Sequence, residues 1–138
     1  HDRAVYYQEL AEKASMEQVA ADLRSSVNLR VAELTLENRF AEVDALLLKN
    51  PFELLAAKPQ NYLGVLEGPS EDRVASGRWY FDNKSKEVVY SIDLGRYFTP
   101  DEQGRRRIAW HLVGVTSADQ PGQLQWARFE LLRPYRWF

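Results

Sequence analysis

The sequence predicts an α+β fold, a long N-terminal α-helix packed against a four-stranded antiparallel β-sheet, in a single domain of 138 residues. Three observations carry that expectation. All 7 glycines and all 6 prolines lie after Asn50, so the first 50 residues contain neither of the two strongest helix breakers. Met16, Ala20, Leu23, Val27, Val31 and Leu34 recur at steps of four, three, four, four and three, which is one stripe of a 3.6-residue period. After Ser76 the chain falls into short alternating segments separated by polar turns, as strands do.

The helical region is residues 1–50. Its stripe continues upstream through Tyr6, Tyr7 and Leu10, while Glu17, Asp22, Arg24, Asn28, Arg30 and Glu33 fall between the apolar positions, so the opposite face reads as polar. Ser15 with Gln18 has the form of a capping box, but with no Gly or Pro nearby the helix is read as continuous. A second apolar phase, Phe40, Val43, Leu46, Leu47 and Leu48, ends at Asn50-Pro51 because the residue before proline disfavours the α conformation. Phe52, Leu54 and Leu55 fit one further turn. Residues 51–76 form a connecting region, irregular from Lys58 on, with Tyr62, Leu63 and Leu66 as expected buried anchors.

The sheet is expected within residues 77–138. Residues 77–82 set Trp79 and Phe81 against Arg78 and Tyr80, and residues 87–93 set Val88, Tyr90 and Ile92 against Val89 and Ser91. The polar stretch between them makes the pair a hairpin. Residues 106–115 alternate Ile108, Trp110 and Leu112 with Ala109, His111 and Val113. Residues 123–132 place Leu124 and Trp126 on one face and Ala127, Phe129 and Leu131 on the other, which predicts a bulge or burial on both sides. The expected helix–sheet core is Leu23, Val27, Val31, Leu34, Trp79, Phe81, Val88, Tyr90, Trp110 and Trp126. A 35-residue helix is about 50 Å long, more than so small a sheet covers, so its N-terminal part is expected to project.

Charge and composition narrow the chemistry. Residues 1–103 carry 12 basic and 18 acidic side chains, whereas residues 104–138 carry 6 and 2. Such a split suits head-to-tail packing of like subunits or an anionic partner, and a solvated sheet face rich in Arg produces it equally. The absence of cysteine excludes disulfides, thiolate zinc sites and cysteine nucleophiles. No run reaches the roughly 18 apolar residues of a bilayer span, and no signal peptide is present. The chain opens without Met on helix-compatible residues, which reads as a processed or truncated piece.

No catalytic, cofactor-binding or metal-binding residue is expected, and the chain reads as a non-enzyme. Of the two histidines, His1 is terminal and His111 lies in a strand. There is no Ser-His-Asp arrangement, phosphate loop or His-rich metal spacing. His111, Tyr90 and Asp93 are the best polar grouping for a small α+β enzyme. Asp101 and Glu102 after Pro100 read as a turn, since calcium takes about 6–8 oxygens. Arg105, Arg106 and Arg107 with Trp110, and Arg133 and Arg136 with Trp137, combine the ingredients of single-strand nucleic-acid binding. Tryptophans at strand spacing read as core instead, and no nucleic-acid partner is expected.

Several motifs carry a resemblance. A breaker-free helix with Met16-Glu17-Gln18-Val19-Ala20-Ala21-Asp22-Leu23-Arg24 leads to Asn61-Tyr62-Leu63-Gly64. Gly77-Arg78-Trp79-Tyr80-Phe81-Asp82, a polar turn and Val88-Val89-Tyr90 follow. This hairpin resembles the first hairpin in the globular part of type IV pilin-like proteins. It is similar in particular to minor pilins or pseudopilins of Gram-negative bacteria, with a mannose-sensitive-haemagglutinin-type pilus among the systems it resembles. The resemblance implies a structural subunit of a type IV pilus or type II secretion-type filament, assembling through its N-terminal helix. Implied partners are other pilin or pseudopilin subunits and inner-membrane assembly machinery. It also implies an apolar membrane-anchoring half-helix upstream of His1, which this sequence lacks, and a location at the inner membrane facing the periplasm before assembly into an extracellular or periplasmic filament. Tyr6, Tyr7, Leu10, Met16 and Ala20 would then be the subunit-packing stripe. The alternative is an extracytoplasmic sensor or ligand-binding domain of a membrane-anchored protein, its long helix continuing from a span.

Overall fold

Helix α1 runs unbroken from Arg3 to Leu36 in the computed structural model, which describes residues 3–138. Its stop is neither Gly nor Pro. Asn38 takes a left-handed φ of 57°. Its N–H donates to the Thr35 carbonyl at 3.1 Å, and the Arg39 N–H donates to the Leu34 carbonyl at 2.8 Å. This pair of bonds is a Schellman closure, with Asn at the position glycine usually holds. Helix α2, Phe40–Leu46, then buries Val43 and Leu46. Pro51–Leu54 forms a 3-10 turn capped by Asn50, whose Oδ1 accepts from the Phe52 N–H at 3.0 Å.

Five strands follow in one sheet, ordered as in the chain: β1 (Tyr62–Leu66), β2 (Arg78–Asp82), β3 (Glu87–Ser91), β4 (Arg107–Ser117) and β5 (Gln120–Leu131). Strands β2 to β5 are antiparallel neighbours and are the four expected from the sequence. The expectation of a four-stranded, wholly antiparallel sheet is corrected by β1, which pairs parallel to β2 and makes the sheet mixed. The strand is hard to read because Gly64, at φ 102°, interrupts its register between Tyr62 and Val65. Leu63 is no buried anchor either, since it and Val65 are 46% and 52% exposed.

A parallel pair needs a crossover. Residues 67–77 supply it, and along the way the Glu71 carboxylate accepts from the Arg106 N–H at 2.8 Å. Tyr80 and Val89, whose alternation puts them on the face away from α1, are buried too. The face toward α1 holds the main core. Leu23, Val27, Val31 and Leu34 pack there with Trp79, Phe81, Val88, Tyr90 and Trp110, all buried. Trp126 is only half-buried at the edge of that cluster. It sits where the β4–β5 pairing slips, with Val115 opposite Trp126 but Thr116 opposite Leu124, a bulge of the kind β5 calls for.

The N-terminal half of α1 does not project from the sheet. Met16, expected on the projecting segment, and Ala20, expected with it on the subunit-packing stripe, are 1% and 5% exposed and belong to the core. Upstream of them Glu9 is fully buried, and Tyr6 meets Tyr97 and Phe138 edge to face at 5.5 Å each. The cover comes from two irregular segments, the stretch after β3 and the one after β5, which bridge at Phe98 and Trp137. Sequence periodicity has no grip on either, because neither is a helix or a strand.

The Asn38 stop is testable. Asn38→Gly relieves left-handed strain and is expected to be neutral or to stabilise by up to about 1 kcal/mol, whereas Asn38→Val is expected to cost about 1–2 kcal/mol, both read from urea denaturation midpoints.

Candidate functional site

Two surfaces stand out, and a pair of helix carboxylates orients the first of them. Glu9 Oε1 accepts from the Tyr97 N–H at 2.8 Å and from the Trp137 indole N–H at 2.9 Å. One turn on, Glu12 accepts from the Asp93 N–H at 2.8 Å, the Leu94 N–H at 2.7 Å and the Tyr90 hydroxyl at 2.6 Å. Burial, reinforced by the Glu12 carboxylate, pushes the Tyr90 phenol well above its ordinary range. The second Glu9 oxygen has no hydrogen-bond partner among the described residues.

With that face turned inward, the outward face of α1 is fixed. Tyr7, Ala11, Ala14, Gln18, Ala21, Ser25, Leu29, Ala32 and Leu36 recur at helical spacing along it, and all but the half-buried Ala32 are exposed. None of the nine carries a charge. Tyr7, Leu29 and Leu36 are 62%, 63% and 85% exposed. The expectation of a polar face opposite the core is therefore corrected. Glu17, Asp22, Arg24, Asn28, Arg30 and Glu33 occupy the flanks, and between them lies a second, uncharged stripe in which small and apolar residues are joined by Gln18. The periodicity that reveals it was present in the sequence, but it has few bulky side chains.

The second surface is a cleft of about 300 Å³ between the start of β4 and the segments around Pro100 and Pro134. Four of its lining residues are arginines: Arg105, Arg107, Arg133 and Arg136. Arg105 donates to Asp101 at 2.9 Å, and Arg107 lies 3.7 Å from Glu87 and 3.4 Å from the Tyr80 hydroxyl. Among the described residues Arg133 and Arg136 have no carboxylate partner. Burial works to raise the Asp101 carboxyl, but hydrogen bonds from the Arg105 amide and guanidinium and from the Gln103 amide outweigh it, holding that carboxyl below its ordinary 3.8.

Of the expected subunit-packing stripe, Tyr7 alone lies on the outward face. Tyr6 and Leu10 are half-buried, and Met16 and Ala20 are enclosed. Trp110 and Trp137 are 2% and 4% exposed, so neither is placed to stack on a base. His111, Tyr90 and Asp93 do not converge: Tyr90 faces α1, His111 alternates to the other face, and Asp93 accepts from the Ser76 hydroxyl at 2.6 Å. Among the described residues no cluster of three or more metal-ligating side chains occurs, and no helix is long and apolar enough to cross a membrane. Compared with known proteins, the chain matches no family model, no curated protein and no solved structure.

Two outcomes test these contacts. Glu12→Ala strands two backbone N–H groups and the Tyr90 hydroxyl and is expected to destabilise by about 2–4 kcal/mol in denaturant unfolding. A carboxyl depressed in the folded state stabilises above its unfolded value and loses that contribution as pH falls through the folded one. The amide resonances of Gln103 and Arg105 are therefore expected to shift on acidification below pH 3.8, and Asp101→Asn to abolish that titration.

Proposed function

We propose that the chain is a structural subunit of a pilin-like filament, a minor pilin or pseudopilin of a type IV pilus or type II secretion-type system, assembling through its N-terminal helix. The observation that carries this reading is the uncharged outward stripe of α1. A helix already anchored on one side has no folding need for a second uncharged stripe, and small residues along it allow another helix to approach closely. Exposed Tyr7, Leu29 and Leu36 would supply most of the buried apolar area in such a contact. The stripe replaces the narrower one drawn from the sequence. Membrane anchoring and export to a periplasmic or extracellular filament belong to the same reading. Support also comes from the layout, a continuous helix against an antiparallel run of strands, which agrees with the hairpin resemblance.

The arginine-lined cleft favours a second reading, an extracytoplasmic sensor or ligand-binding domain of a membrane-anchored protein. The two part at the helix. A sensor leaves the outward stripe open, whereas a filament subunit covers it.

Because the chain has no cysteine, a single introduced thiol reports on this surface. In the full-length subunit in its own cells, Ala14→Cys and Ala21→Cys, each made singly, are expected to crosslink into disulfide dimers under oxidation. Ala21→Arg is expected to lower incorporation by about tenfold or more, with the purified chain unfolding at the parental temperature. Undiminished incorporation of Ala21→Arg overturns the reading.

A further inference from the structure

We propose that the cleft beside β4 binds a small amphipathic anion, an oxyanion such as a carboxylate or phosphomonoester carried on an apolar ring or chain. The inference does not depend on filament assembly, and it rests on the ligand-binding reading only in naming what such a site would hold.

Two features of the cleft converge. The first is charge. Asp101 takes up Arg105, and Glu87 with Tyr80 attends Arg107, so Arg133 and Arg136 are left to face solvent without a carboxylate. A guanidinium presents a planar fork that matches carboxylate and phosphate oxygens two at a time. The second is the wall. Half-buried Ala109 and Leu132 and exposed Pro100 and Pro134 give the cleft its accessible apolar lining, with Ile108 and Phe98 buried behind them. A bare anion would leave that wall in water, and an uncharged apolar molecule would cover two unpaired guanidinium groups without satisfying them, which is costly. A ligand with both parts meets both conditions. At about 300 Å³ the space lies at the small end of small-molecule sites and suits a single ring with one oxyanion.

The walls are also held in advance. Pro100 and Pro134 restrict the backbone on two sides. The Thr99 N–H donates to the Arg136 carbonyl at 2.9 Å, and the Tyr135 hydroxyl donates to Glu17 at 3.3 Å. Little ordering is left for the ligand to impose, which favours affinity at this size.

Calorimetry on the 138-residue chain tests the proposal with four probes: phenyl phosphate, benzoate, inorganic phosphate and phenol. Phenyl phosphate, benzoate or both are expected to bind about tenfold or more tightly than inorganic phosphate and phenol. Arg133→Gln combined with Arg136→Gln is expected to weaken that binding by about tenfold or more. Both side chains are exposed, so the unfolding temperature serves as the check that the fold is intact. Arg128→Gln, outside the cleft, is the control and is expected to leave binding unchanged. The proposal is overturned if inorganic phosphate binds as well as the ring-bearing anions, if Arg128→Gln weakens binding as much as the double variant, or if neither anion binds at about 1 mM.

Discussion

The structure depends on two carboxylates, one helical turn apart, taking the place of strand partners. After β3 the chain leaves the sheet, and the amides of Asp93, Leu94 and Tyr97 have no neighbouring strand to accept from them. Buried or half-buried N–H groups must find an acceptor. Glu12 and Glu9 provide it from α1, and Glu9 takes the Trp137 indole as well. Residues at this spacing share one side of a helix, so a single face gathers both irregular segments. Without these bonds the helix would lie against the sheet only from Met16 onward.

The same bonds resolve an ambiguity in the helix itself. With apolar residues on two opposite sides, hydrophobic burial alone discriminates weakly between them over the first turns. Charge-assisted hydrogen bonds are directional where apolar burial is not. Glu9 and Glu12 can reach the backbone beyond β3 in only one rotation of α1. That rotation sends Met16, Ala20 and Leu23 inward and leaves Ala14, Ala21 and Leu29 outside. The character of the outer surface thus follows from polar contacts on the inner one.

Much of this architecture was legible in the sequence, for reasons that also mark the limit of such reading. Strong local periodicity gave the long helix, the inward positions from Leu23 to Leu34, the Trp79 hairpin and the bulge in β5. Asn38 was missed because a left-handed asparagine does the work of a glycine. Strand β1 was missed because Gly64 breaks a five-residue pattern and the strand's two outward residues are apolar and exposed. The contacts of Glu9 and Glu12 reach partners 78 to 128 residues away, and no local pattern encodes them. Arg105, Arg107, Arg133 and Arg136 were visible as charges, but their gathering around one cleft depends on how the stretch around Pro134 folds back beside β4.

The Glu9–Trp137 bond has a bearing on the order in which the chain can fold. A residue in the second turn of the first helix waits for a partner 128 positions downstream. During synthesis the early coil therefore emerges with its outer turns unroofed while the meander is still being made. The β2–β3 hairpin can pair first, since its contacts are close in sequence, whereas α1 as a whole waits for β5, which Arg24 meets 105 residues downstream. The indole of Trp137 is the last of these partners to be made, so the clasp on the first turns of α1 is complete only when the chain is nearly whole.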